Sequence, residues 1–524
     1  MGGADYPPGA GLVYTRAPVS EAPQRPADAV VRESARGAAL ITFAKLWFMA
    51  TGFLQPLALT RVLGQEGYGL YGVVLSSISI VNNVVVSGSI QAMSRAVIQG
   101  GDRALRRALL LHAALGAALG LTLVAGADVF GATLLRDPSV PRLLRVAAVV
   151  VADYSVYAAL VGAFNGRRRY GAQAALDITF STLRTGLIVG LASRGLGAFG
   201  AVAGFAAASA AILVVALALT LPDLRGEPRD PGVEPMPDAL GDFARAYGRY
   251  FAPVLAYQLA LNLVLQGDTL LFKALAARAG HDVASVNALL GVYKAAQNFA
   301  FLPYQLLLSV TFVLFPVVSR ATLENDHGTT ERFVVGALRF SAIALGAMLA
   351  VLAGLSQGVL GLAYQSSYET GAVALRNLAL GQGAFALLVI STTIVLAAGR
   401  TRAATALMAL TLAGVAAGDV AGITLAGDPL VGVSTGTAVG QTLGLAAAAW
   451  YMRREFGGFV ALTTALRVAG AAAVAALAAR ALPLHGKVGT LVAAAAAGVF
   501  YVVALVLSGE VGAADVARFR RVAR

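Results

Sequence analysis

Residues 197–221 read GAFGAVAGFAAASAAILVVALALTL, and no charged residue interrupts them. About 20 predominantly apolar residues carry an α-helix across the hydrocarbon core of a bilayer. Barrel strands are shorter and alternate in polarity, so this run does not fit one. Lipid offers peptide groups no partner, which leaves a helix as the only structure that satisfies such a segment. Similar runs fall at 36–60, 69–94, 108–135, 143–165, 171–193, 250–275, 286–318, 333–360, 371–398, 403–426, 429–452, 458–482 and 488–509. The expected fold is all-α: a polytopic membrane protein of about fourteen transmembrane helices.

Composition agrees with that pattern. Of the 524 residues 58% are hydrophobic and 13% charged, against about 25% charged in soluble domains. The chain has no cysteine, which excludes disulfides, thiolate metal sites and cysteine nucleophiles. A net charge of +13 could suggest nucleic acid, but the basic residues sit at helix ends and form no stripe with interleaved aromatics. No nucleic-acid partner is expected. Residues 1–34 hold five prolines and no apolar core, so they read as a disordered cytoplasmic tail and not as a signal peptide.

An even number of spans puts both termini on one side. Most Lys and Arg then fall on one set of alternate loops, among them Arg103, Arg106 and Arg107, Arg167 to Arg169, Arg400 and Arg402, and Arg453 and Arg454. The positive-inside rule makes that side cytoplasmic. The stretch 222–242 departs from the bias, with six acidic residues, two basic residues and five prolines. It reads as a linker, 222–249.

The two sides of the linker repeat one another weakly. Pro56–Leu–Ala–Leu–Thr–Arg61 pairs with Asp268–Thr–Leu–Leu–Phe–Lys273, and Gly69–Leu–Tyr71 with Gly291–Val–Tyr293. Ser94–Arg95 pairs with Ser319–Arg320, and Gly166–Arg167 with Gly399–Arg400. The offsets rise in order, as loop insertions require. Six helices is an even number, so the halves are parallel repeats: an N-lobe at 35–221, a C-lobe at 250–452, and an added helix pair with a basic tail at 453–524. Two lobes about a linker suit alternating access around a central site.

Leu59–Thr–Arg61–Val–Leu–Gly64–Gln–Glu66–Gly–Tyr68–Gly69 resembles the R-x-L-G-x-x-x-(Y/F)-G signature after the first helix of polysaccharide-export flippases. These are Wzx-type members of the multidrug/oligosaccharidyl-lipid/polysaccharide (MOP) exporter superfamily. The resemblance implies two six-helix lobes enclosing a cavity open to one side at a time. It also implies a polyprenyl-(pyro)phosphate-linked oligosaccharide as cargo, in the bacterial inner membrane. Membrane lipids, and the glycan polymerase machinery, are the partners it suggests. No cofactor or metal is expected.

Polar residues inside apolar runs are the candidate site. A charge at the bilayer centre costs about 2.5–3.5 kcal/mol on insertion scales, so such residues face a cavity or a partner. Lys45 and Lys294 lie deep in their runs and are read as cavity-facing. Arg61 and Lys273 occupy equivalent repeat positions, which suits a two-sided clamp on pyrophosphate, although both lie where they can also snorkel to the interface. Arg184 lies seven residues after Asp177 on one helix face, and an ion pair with another helix is an equal reading for it. Gln258, Asn262 and Gln266 share one face at i, i+4, i+8. With Asn82, Asn83, Gln297 and Asn298 they form either a sugar-binding wall or interhelical glue. Asp153 and Asp268 are candidates for ion coupling or for structural pairing. Pro253, Pro303 and Pro316 are expected to kink helices seven and eight.

Other motifs carry nothing. Gly195–Leu–Gly197–Ala–Phe–Gly200 fits GxGxxG but follows no strand. Two G-x-S-x-G matches, at Ser356 and Ser434, lie inside apolar spans. The four histidines stand at helix ends without metal-ligand spacing. With no Walker A motif, no D-x-D pair and no large external loop, a transporter is expected and not an enzyme. A cation-coupled drug exporter of the same superfamily is the nearest alternative, and a membrane enzyme of envelope glycan assembly the next.

Overall fold

A computed structural model describes residues 27–220, 237, 239–307, 318, 327–484 and 486–512. The expected tail 1–34 falls mostly outside these residues. So do most of the linker, the Ser319–Arg320 repeat match, Pro316 and the end of the chain. The described residues form fourteen long helices. One continuous run, Ala27–Asp128, is broken at Gly64 (φ 65°) and Gly101 (φ 56°) into α1 (27–63), α2 (65–100) and α3 (102–128). Both glycines take left-handed backbone angles that other residues rarely adopt, so the chain reverses there without a loop. α4 (Val140–Gly166), α5 (Tyr170–Leu191) and α6 (Gly197–Thr220) complete the first half.

The second half holds α7 (Leu240–Arg278), α8 (Val283–Ala300), α9 (His327–Leu352), α10 (Ala372–Ala397), α11 (Thr401–Leu425) and α12 (Pro429–Phe456). A short helix, Ser356–Ala363, precedes α10. Then come α13 (Leu462–Ala481) and α14 (Gly486–Leu507). Among the described residues, nine helical stretches are long and apolar enough to cross a membrane. Two of them, Leu40–Leu134 and Tyr170–Thr220, run 95 and 51 residues and so hold several crossings each. The chain is a multi-pass membrane protein. α8 and α12, not among the nine, carry polar side chains such as Lys294, Gln297, Thr437 and Gln441 into the protein interior.

Helices α1 to α6 pack on one another, and α7 and α8 lie against the α1–α3 run. α2 and α8 cross closely. A Cβ on Gly69 would stand 1.8 Å from the Asn287 carbonyl oxygen, and one on Gly291 2.0 Å from that of Gln65. The two glycines of the repeated Gly-x-Tyr motif therefore meet backbone to backbone. α11 and α12 are joined in the same way, Gly418 against Gly436 and Gly422 against Gly432.

α13 and α14 form a separate pair held to α9. The Tyr501 hydroxyl donates to the Ile343 carbonyl at 2.7 Å. Glu510, just past α14, accepts from Arg339 Nε at 2.8 Å and Thr464 at 2.9 Å. Burial opposes its charge, but the bonds from Arg339 and Thr464 outweigh that and hold its carboxyl below the usual range. His112, expected at a helix end, is buried inside α3 and bonds Tyr247 of α7 at 2.8 Å. The span began earlier than the apolar run showed, because α3 starts just past Gly101 with a charged turn.

Candidate functional site

A polar seam runs where α7 and α8 meet α2. Asn83 Nδ2 donates to Asn262 Oδ1 at 2.8 Å, and Ser76 Oγ to Gln266 Oε1 at 2.8 Å. The Lys294 ammonium donates to Gln297 Oε1 at 2.7 Å and to Gln266 Oε1 at 3.2 Å. Its stem lies against Gly72 of α2, where a Cβ would meet Lys294 Cγ at 2.8 Å. Lys294 is only 9% exposed, and among the described residues amide oxygens are its direct hydrogen-bond partners. Nearby, Asn298 Nδ2 donates to the hydroxyls of Tyr68 (2.8 Å) and Tyr364 (3.2 Å). Asn82 is buried with Oδ1 unpartnered among the described residues. The half-buried Gln258 gives its carbonyl to Asn262.

Behind Lys294 lie two buried acids. Asp268 is 1% exposed. Its Oδ2 accepts from the Tyr293 hydroxyl at 2.6 Å and from Gln297 Nε2 at 2.9 Å, and its Oδ1 from the Thr269 backbone N–H at 2.6 Å. Asp419 of α11 is fully buried, and its Oδ1 accepts from Thr437 of α12 at 2.9 Å. The two carboxyls are near enough for their charges to interact, with Tyr293 close to both. Sequence reasoning found Asp268 and missed Asp419 and Thr437. A lone acid in the apolar run 403–426 was the available signal.

Other expected residues lie elsewhere. Lys273 is fully buried and donates to Asp137 Oδ2 at 2.9 Å and Asn287 Oδ1 at 2.7 Å, while Asn287 Nδ2 donates to the same carboxylate at 3.0 Å. Arg61 is exposed. The expected clamp of Arg61 with Lys273 is therefore corrected: a lysine enclosed with a carboxylate is neutralised and presents no charge to a ligand. Burial works against the Asp137 charge, yet hydrogen bonds from Lys273, Asn287 and the Ser139 N–H hold its carboxyl below the ordinary range.

Lys45 also departs from expectation. Its side chain is 60% exposed and pairs with Asp177 at 3.2 Å. Arg184 stacks instead on Phe48, Phe180 and Phe205, with its guanidinium carbon 4.8, 5.7 and 5.9 Å from the ring centres. Asp153 accepts from Ser209 at 2.7 Å, a contact between α4 and α6. Among the described residues no three His, Cys, Asp or Glu side chains converge as a metal site.

An apolar groove of about 550 Å³ lies between α9, α10, α12 and α13. Leu345, Leu349, Leu380, Leu445 and Val468 line it, with Arg376, Arg453 and Arg480.

The fold is similar to that of the lipid II flippase MurJ in an inward closed conformation, with a TM-score of 0.72 at 14% identity, over 90% of this chain and 99% of that one. It is also similar to an inward-facing multidrug resistance MATE family transporter of the MOP superfamily (TM-score 0.61, 16% identity, 78% of this chain and 94% of that one). A MOP superfamily transporter from Pyrococcus furiosus gives 0.59 at 15% identity, over 80% and 95%. No curated protein matches the sequence. Residues 34–322, more than half of the chain, match the polysaccharide biosynthesis protein family, and the chain belongs to that family.

Proposed function

We propose that this protein flips a polyprenyl-(pyro)phosphate-linked oligosaccharide from the cytoplasmic to the outer leaflet of the cytoplasmic membrane by alternating access. Both termini are cytoplasmic in this reading, and the moving bodies are the lobes 35–221 and 250–452. The observation that carries it is Lys294, a buried cation between the halves whose direct hydrogen-bond partners are neutral amides. An ammonium held in that way remains available to a phosphate, and a charge-assisted hydrogen bond contributes about 1.5–3 kcal/mol. When the halves part, the Asn83–Asn262 and Ser76–Gln266 bonds open. Their freed donors and acceptors then need partners, which the hydroxyls of a sugar supply. The apolar groove beside α13 suits a prenyl chain. Family membership and the fold shared with MurJ support the reading.

Asp268 and Asp419 are the proposed coupling centre, with membrane potential or an ion gradient as the driving force. Two buried acids beside one lysine leave a single negative charge for a cation to neutralise. The seam argues against a drug-cation exporter, since a lysine at its centre repels cationic cargo.

Transport of a fluorescent polyprenyl-pyrophosphate oligosaccharide in proteoliposomes tests the proposal. Wild type is expected to translocate it, and Lys294→Ala to lose about tenfold or more. Failure of the wild type on several glycans, together with efflux of small cationic dyes, would replace the flippase with the drug exporter.

A further inference from the structure

A second polar stripe meets the acid pair at Thr437, which bonds Asp419. On α12, Ser434, Thr437 and Gln441 follow an i, i+3, i+7 spacing and share one face. All three are fully buried. Asn377 of α10 reaches the start of this stripe, donating to Ser434 Oγ at 3.3 Å and Thr435 Oγ1 at 3.0 Å. Thr437 then bonds Asp419. One turn further stands Gln441, whose Oε1 and Nε2 both lack a hydrogen-bond partner among the described residues. Its carboxamide lies against Gly381 of α10, where a Cβ would meet Oε1 at 2.7 Å. The next residue, Gln382, is 1% exposed, and its Oε1 is likewise unpartnered. Asp419 Oδ2 makes a further orphan acceptor.

Buried amide groups nearly always have partners, and leaving one without them costs about 1–3 kcal/mol each. A mid-membrane glutamine with both polar atoms unbonded among the described residues, and a second with an open Oε1, fit a site occupied by water or by a cation that takes oxygen ligands. The cargo seam is a poor way in for such a cation, because Lys294 stands beside Asp268 there. The α10–α12 stripe offers neutral oxygens throughout.

We propose that Ser434, Thr437 and Gln441, with Gln382 beside them, line a hydrated passage through which a small cation reaches Asp419 and Asp268, separate from the path of the cargo. The passage rests on the coupled-transport reading for its purpose but not for its water content, which can be measured alone.

The chain has no cysteine, so a single Gln441→Cys or Gln382→Cys carries the only thiol. The full-length variants in membrane vesicles would be treated with the water-soluble reagent 2-aminoethyl methanethiosulfonate. Leu388→Cys, from a fully buried leucine of α10, is the dry reference. Thiolates react and thiols in apolar surroundings do not, so at least one glutamine position should label about tenfold or more faster than Leu388→Cys. Equal, slow labelling at both glutamine positions would overturn the passage. In parallel, Gln441→Leu should abolish the cation dependence of oligosaccharide transport, and full retention of that dependence would also overturn it. Labelling without any transport by the parent chain would sink the flippase reading and leave the passage standing. Transport without labelling would do the reverse.

Discussion

Two lysines on neighbouring helices, Lys273 of α7 and Lys294 of α8, look alike in sequence and are both buried, at 0% and 9% exposure. Lys273 is closed in with Asp137 and shares it with Asn287. Lys294 is held by Gln266 and Gln297, and the acid behind it, Asp268, bonds Gln297 and makes no direct hydrogen bond to the lysine among the described residues. One charge is neutralised where it sits; the other is solvated by dipoles and still available. What a buried cation does is set by its partner more than by its depth. Removing one member of a buried ion pair leaves a bare charge, whereas removing a cation held by amides leaves two amides with other bonds to make.

The sharpest break of this contrast is Lys273→Met, expected to lower stability by about 3–5 kcal/mol by stranding Asp137. Melting in detergent would read it, and Asp137→Asn in the same chain should restore much of the loss. A melting curve like that of wild type would make the pair dispensable. Gly69→Ala comes next, at about 1–3 kcal/mol, because the new methyl meets the Asn287 backbone, which cannot yield as a side chain would.

Lys294→Met should stay within about 1 kcal/mol of wild type in stability, even as transport falls. A large loss of stability there would erase the distinction between the two lysines. Gly72→Ala tests the same lysine more gently. Its methyl meets the flexible Lys294 stem, so the cost is about 1 kcal/mol with a partial loss of transport. The smallest effect is on pH. Asp137 has a depressed carboxyl, so its contribution is complete above the ordinary aspartate value of about 3.9 and is lost as pH falls below it through the lowered one. Acid unfolding should lose that component in Asp137→Asn.

The helices were legible because lipid imposes one length and one polarity on every span. The seam was legible in part: Asn262 and Gln266, a turn apart on α7, and Gln297 beside Lys294 are too polar to face lipid, whatever they face instead. Their partners were not. Asp137 lies 136 residues before Lys273, in the turn between α3 and α4, and no local spacing connects them. The same gap hid the Lys45–Asp177 pair, 132 residues apart, and made Lys45 read as a cavity residue. Asp419 is the only charged residue of its run 403–426, and its partner Thr437 arrives only when α12 folds back on α11.

Two helices that carry polar side chains into the interior, α8 and α12, have a consequence for how the chain is made. Each follows its neighbour after a very short connection: α8 after α7 across 279–282, and α12 after α11 across 426–428. Both pairs can therefore enter as hairpins, with the polar face of the second helix already turned toward the first. The polar faces of α8 and α12 are thus sheltered from lipid from the moment of synthesis, and mutations that strip the apolar surface of α7 or α11 should first appear as failures of insertion.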